Sequence, residues 1–246
     1  MRAPGMSTRV ELQAAEFTGP LWAAICAAGG LRPATRKCRH FPRAYDASWL
    51  AALPLPIGED RLAGQPVALL DERDDFDRHL DGRALSEAYA GRPRTQVYES
   101  INRDSEGTWY SLAARHLGRL AHCELQVVCS VFASRYGDES LGGHWDAWYG
   151  AIVQMRGAKV WQIGERLLRD TGQATQRDTG QATQEVTTEA GDILLLPKGL
   201  PHAVQTPADP GHSVHLAFAI DRDQASVPGL TDHGEPGAQP AAGAPG

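Results

Sequence analysis

Two short segments of this 246-residue chain hold the residue types best suited to metal chemistry: Leu141-Gly-Gly-His-Trp-Asp146, and Gly191-Asp-Ile-Leu-Leu-Leu-Pro-Lys-Gly-Leu-Pro-His202. They supply His144, Asp146 and His202. Two imidazoles and one carboxylate are the donor set that holds non-haem Fe(II) on one face and leaves the opposite positions open for substrate and oxygen. On a strand, residues i and i+2 share a face, so a strand-borne H-x-D pair points both side chains the same way. The third ligand then comes from a distant strand. An H-x-D pair alone recurs by chance in many chains, and the second segment is what strengthens it. Gly191-Asp192 reads as a tight turn and Ile193 to Leu196 as a buried apolar strand. Pro197-Lys198-Gly199 reads as a second turn that delivers His202 onto the next strand.

These residues need a scaffold, and the chain is long enough for one well-cored domain with an elaborated N-terminal part. Its apolar fraction of 42% and charged fraction of 22% are those of an ordinary globular protein. Positioning elements are legible along it. A short helix is expected over Pro20 to Ala28, ended by Gly29-Gly30. Arg32 to Tyr45 reads as a basic loop, Ala47 to Leu53 as a helix, and Val67 to Leu70 as a strand closed by an acidic turn from Asp71 to Asp77. Ala84 to Ala90 is helical in composition, and Gln96 to Ile101 alternates like a strand. Leu112, Ala113, Leu117 and Leu120 fall on one face of a helix over Tyr110 to Leu120, expected to pack outside a barrel. Glu124 to Ser134 alternates strictly, with Leu125, Val127, Cys129, Val131 and Ala133 on one face and Gln126, Val128, Ser130, Phe132 and Ser134 on the other. Several short strands with turns, carrying H-x-D and a distant His, fit a mainly β fold: a double-stranded β-helix, or cupin jelly roll, with flanking N-terminal helices.

The expected organisation is a disordered stretch over 1–6 and a single domain over 7–221, with a helix-and-strand N-terminal part (7–120) and a metal-bearing barrel (121–221). A disordered Pro/Gly/Ala-rich tail over 222–246 completes it. Within the barrel, Arg169 to Gln176 is repeated without change as Arg177 to Gln184. This tandem octapeptide is too poor in apolar residues to bury a core, so 169–184 reads as a flexible loop, either a neutral duplication or a lid. The net charge of −6 disfavours a general nucleic-acid surface. The basic group Arg32, Arg36, Lys37 and Arg43 reads as a solvated loop. Cys26, Cys38, Cys123 and Cys129 lack metal-site spacing and no secretory signal precedes them, so free thiols in a reducing, cytoplasmic compartment are expected. No apolar run approaches a bilayer-spanning length.

The run HWDAWYGAIVQMRGAKVWQIGE, followed by GDILLLPKGLPHAVQT and SVHLAFAI, resembles the JmjC-type cupin oxygenases of the ribosomal-oxygenase group. The resemblance covers about 120–221. It implies an Fe(II)- and 2-oxoglutarate-dependent hydroxylase that uses O2, with His144, Asp146 and His202 on the metal. Lys159 occupies the place of the family's basic anchor for the distal carboxylate of 2-oxoglutarate. Gln154, Gly157 and Trp161 fit the family's Q-x-x-G-x-x-x-W pattern, read as a strand, a turn at Arg156-Gly157 and a second strand. By the same resemblance Ser130, Phe132 and Ser134 face the co-substrate cavity, and His215 matches the last-strand S-x-H-L element as pocket lining. Trp145 and Trp148 flank the metal pair, as channel lining or as core. His212 and His116 read as surface histidines.

Two departures bear on substrate. Tyr149 stands where the family often has an acid, and Ala151 where it has a bulky aromatic. The helical dimerisation region and winged-helix domain of the ribosomal oxygenases are expected to be missing. The expected substrate is a protein or peptide side chain, including a biosynthetic precursor peptide. The alternatives are an amino-acid-like small molecule, a metal-binding cupin without 2-oxoglutarate, or a barrel that binds without turnover. The oligomeric state is left open.

Overall fold

The computed structural model describes residues 4–31, 37–60, 64–70, 76–103, 105–123, 127–164 and 184–221. In chain order these form α1 (Pro4–Ala27), β1 (Arg39–Phe41), α2 (Ala47–Ala51), β2 (Val67–Leu70), β3 (Phe76–His79), α3 (Gly82–Gly91), β4 (Thr95–Tyr98) and α4 (Trp109–Leu120). The barrel strands follow: β5 (Val127–Arg135), β6 (Tyr149–Ile163), β7 (Gln184–Glu189), β8 (Ile193–Leu196), β9 (His202–Gln205) and β10 (His212–Ile220).

The helix expected to start at Pro20 starts at Pro4, so residues 4–6 are helical and not disordered. Pro20 lacks the N–H that would bond the Glu16 carbonyl, which is why it reads as a boundary. The helix continues because Ala14, Phe17, Leu21, Ile25 and Ala28 make one buried stripe, and three large apolar side chains outweigh one missing bond at about 1.5–3 kcal/mol each. Phe17 sits 5.3 Å from Tyr45, 4.9 Å from Trp109 and 5.8 Å from Phe218 between ring centroids, joining α1 to α4 and β10. Gly29 and Gly30 end the helix at positive φ, with the Gly30 N–H returning to the Ile25 carbonyl.

The sheet is antiparallel in the order β1-β8-β6-β10-β5-β4-β2-β3, and β7 and β9 pair with the far half of β6. The mainly β barrel with flanking N-terminal helices is therefore what forms. Its closure depends on β6, one 15-residue strand where two strands and a turn were expected. Tyr149 to Gly157 pairs with β10, and Ala158 to Ile163 pairs with β7. The bend between them is Gly157, at φ +66°, where a Cβ would lie 2.0 Å from the His212 carbonyl oxygen. Only glycine fits there.

Two other expectations change. The segment read as a loop from Arg32 to Tyr45 contains β1, which pairs Arg39, His40 and Phe41 with Leu195, Leu194 and Ile193. Of the acidic turn expected from Asp71 to Asp77, residues 71–75 lie outside the described residues, and Phe76 and Asp77 belong to β3, which pairs with β2. Both are short edge strands, whose pairing comes from a partner and not from their own alternation. Of the repeat, residues 169–183 lie outside the described residues and Gln184 opens β7; the tail over 222–246 and Arg32 and Arg36 also lie outside them. All four cysteines are free.

Candidate metal centre and its cavity

His144 and Asp146 lie in an extended segment after Gly142-Gly143, not in a regular strand as expected. A single bridge pairs His144 with His202 at the start of β9, with both N–H groups bonded across at 3.0 and 2.8 Å. The two glycines and Pro201 interrupt longer pairing, but one extended residue is enough to preserve alternation. His144 and Asp146 share the inner side, and Trp145 between them turns to the mouth, 50% exposed. The Gly199 N–H holds the Asp146 carbonyl at 2.8 Å, which ties the H-x-D segment to the turn that delivers His202.

One donor atom from each of His144, Asp146 and His202 lies within 4.8 Å of the others. The imidazole centroids are 4.4 Å apart. His144 Nδ1 faces the Gly142 carbonyl and His202 Nδ1 faces the Leu200 carbonyl, each at 2.9 Å. A carbonyl only accepts, so both Nδ1 atoms carry the proton and both Nε2 lone pairs are available. Burial, reinforced by His144, lowers the pKa of His202, favouring the neutral imidazole that a metal requires. Asp146 Oδ2 stands 3.7 Å from His202 Nε2, too long for a hydrogen bond and suited to two atoms facing one cation. The donor set fits non-haem Fe(II).

Lys159, on the far half of β6, is 1% exposed. Its Nζ donates to Ser134 Oγ at 2.9 Å and to Thr206 Oγ1 at 3.1 Å, and these hydroxyls bond each other at 2.7 Å. Burial brings its pKa down to about 8, opposed by Asp138. A buried ammonium held by neutral hydroxyls is suited to an incoming anion. Thr206 was not anticipated. It follows β9, and its meeting with Ser134 across 72 positions has no local sequence signal.

Aromatic rings fill the interval between metal set and lysine. Trp161 lies 6.0 Å from His202 and 5.5 Å from His215, and His215 stacks on Phe132 at 5.0 Å. His215 is buried, and its Nδ1 has no hydrogen-bond partner among the described residues. Burial and then Lys159 push its pKa well below the ordinary value. Thr188 explains the Gln-Gly-Trp pattern: its hydroxyl accepts from Trp161 Nε1 at 3.0 Å and donates to Gln154 Oε1 at 3.1 Å. Gln154 in turn donates to Ser213. The network fixes the Trp161 ring.

The ligands, Lys159, Trp161, His215, Phe132 and Ser130 line one cavity of about 1110 Å³. Ser130 also accepts the Ser100 N–H at 3.1 Å. Ser134 reaches the site through Lys159. Trp145 and Trp148 line the cavity, whereas His212 is exposed. Tyr149 and Ala151 belong to the core cluster on the opposite face of β6. The two departures noted in the sequence therefore alter the core and leave the cavity wall to their neighbours.

Fold and site together define a jelly-roll barrel with a His-Asp-His set, and residues 110–226 match the family model described as JmjC domain. Among solved structures, YcfD, a ribosomal oxygenase from Escherichia coli in complex with cobalt and succinic acid, superposes with a TM-score of 0.54 at 18% identity, over 83% of this chain and 52% of that one. The YcfD complex with cobalt and 2-oxoglutarate gives the same values. A further YcfD structure gives 0.52 at 19% identity, over 91% and 62%. At this identity the likeness is one of fold, and the chain spans about half the length of the first of these structures. No curated protein matches the sequence.

Proposed function

We propose that the protein is an Fe(II)- and 2-oxoglutarate-dependent oxygenase that hydroxylates an unactivated carbon of a protein or peptide side chain. One observation carries this reading: a fully buried lysine, whose hydrogen-bond partners among the described residues are hydroxyls, opens onto the same cavity as a His-Asp-His set. The JmjC match and the cobalt- and 2-oxoglutarate-bound YcfD structure support it. The ribosomal-oxygenase description of YcfD supports a protein substrate. No described helix is long and apolar enough to cross a membrane, and the four free thiols suit a cytoplasmic setting.

His144 and His202 would bind the metal through Nε2 and Asp146 through its carboxylate. When bound, Fe(II) supplies the activation of O2 that couples decarboxylation of 2-oxoglutarate to C–H oxidation. One oxygen atom enters succinate and the other enters the C–H bond as hydroxyl, with CO2 released. Lys159 binds the distal carboxylate of 2-oxoglutarate, and Ser134 and Thr206 hold its ammonium in register. His215, whose Nδ1 has no partner among the described residues, donates to the same co-substrate. Phe132 and Trp161 exclude water from its carbon chain.

Succinate formation by anaerobically purified, Fe(II)-loaded protein exposed to air tests the reading. Turnover is expected in the wild type and absent in Asp146→Ala. Iron binding without succinate formation, with peptides broadly sampled, would instead assign the barrel to metal-dependent chemistry without 2-oxoglutarate or to binding alone.

A further inference from the structure

Four charged side chains, apart from histidines, line the cavity among the described residues: Arg78, Glu99, Asp146 and Lys159. Asp146 belongs to the metal set and Lys159 faces the co-substrate. The other two neutralise each other, since Arg78 Nε donates to Glu99 Oε2 at 2.7 Å and Arg78 Nη2 to Oε1 at 3.0 Å. Within the lining, β5, β6, β8 and β10, which are described throughout, contribute an apolar patch of Val128, Gly150, Ile152, Leu196, Ala217 and Ala219, bordered on β5 by Ser130, whose hydroxyl accepts the Ser100 N–H. These are adjacent by register: Ala219 pairs with both Val128 and Gly150, Gly150 with Leu196, and Ala217 with Ile152.

We infer that the group delivered to the metal is an uncharged aliphatic side chain of a peptide. A guanidinium or ammonium entering this wall would lose its hydration and find no uncommitted carboxylate on those four strands. An aliphatic side chain gains burial there and leaves no polar atom unsatisfied. Small residues at Gly150, Ala217 and Ala219 leave room for its branches. This rests on the oxygenase reading only in naming the reaction that follows binding.

The test uses methyl shifts of isotope-labelled alanine and isoleucine in the full-length protein, titrated with N-acetyl-leucinamide and N-acetyl-argininamide. Saturable shifts of Ala217, Ala219 and Ile152 are expected with the leucine probe, at a Kd about tenfold or more below that of the arginine probe. Ala219→Asp, which adds a carboxylate to the wall, is expected to invert the order. Equal or tighter binding of N-acetyl-argininamide by the wild type, or no saturable shift with N-acetyl-leucinamide, would overturn the inference. Because the shifts need neither metal nor turnover, that outcome is separate from a failure to form succinate.

Discussion

The two halves of β6 are one continuous strand yet build opposite environments. Before Gly157, the strand presents Gly150 and Ile152 to an apolar wall and Tyr149, Ala151, Val153 and Met155 to the core. After it, the strand presents Lys159 and Trp161, and pairs with β7 and β9 instead of β8 and β10. One continuous strand therefore serves two tasks, and the difference lies in side chains and in the bend at Gly157. The apolar half suits a substrate carbon. The half with the buried cation suits a dicarboxylate.

Removing the bend should have the largest effect. In Gly157→Ala, the added Cβ meets the His212 carbonyl in a backbone conformation that L-residues avoid, so a loss of about 3 kcal/mol or more is expected in denaturant melts. A melt within about 0.5 kcal/mol of wild type would show that the two halves can be joined another way.

Truncating the cation isolates the second half. Lys159→Ala is expected to weaken 2-oxoglutarate binding by about 2–4 kcal/mol, roughly 30- to 1000-fold in Kd, while leaving metal affinity unchanged. Calorimetry with Mn(II)-loaded protein measures both. An unaltered 2-oxoglutarate Kd would remove the co-substrate role from this half of the strand.

Titration of the same group gives a graded effect. Lys159 titrates at about 8, below its ordinary 10.5, because it is buried. The ammonium is the form that binds a carboxylate, so on the proposed role affinity for 2-oxoglutarate is expected to be full below about pH 8 and to fall roughly tenfold per unit above it. Stability of the ligand-free fold runs the other way. Between about 8 and 10.5 the unfolded chain binds the additional proton, so stability rises with pH across that window. Lys159→Ala should flatten both profiles.

The mildest perturbation is on the apolar half. In Gly150→Ala the new methyl would touch Leu196 Cβ at 3.4 Å and Ile152 Cδ1 at 3.9 Å, an ordinary fit. It narrows the wall by one methyl, so N-acetyl-leucinamide should bind a few-fold more weakly, with 2-oxoglutarate affinity unchanged. Equal weakening of both ligands would mean that the halves are not separate subsites.

The legible part of this protein was what neighbouring residues encode. Turn residues around an apolar run placed β8 and carried His202 to β9, and strict alternation placed β5 with Val128, Ser130 and Phe132 on the cavity side. The spacing of His144 and Asp146 needed only one extended residue between them, so the shared face held although no regular strand formed there. Illegible were features that depend on distant partners. The length of α1 ahead of Pro20 came from a stripe buried against α4 and β10, and β1 and β3 exist because β8 and β2 offer edges to pair with.

The sequence by itself named the candidate groups: His144, Asp146 and His202 as a donor set, and, through the family resemblance, Lys159 as a cation in the place of a co-substrate anchor. Tertiary structure alone decided what surrounds them. It brought Ser134 and Thr206 to one ammonium, paired Arg78 with Glu99, and turned Tyr149 into the core while Gly150 faced the cavity. Ligand identity is carried by residue type, which is local, whereas burial and charge pairing are properties of contacts, which exist only once the barrel closes.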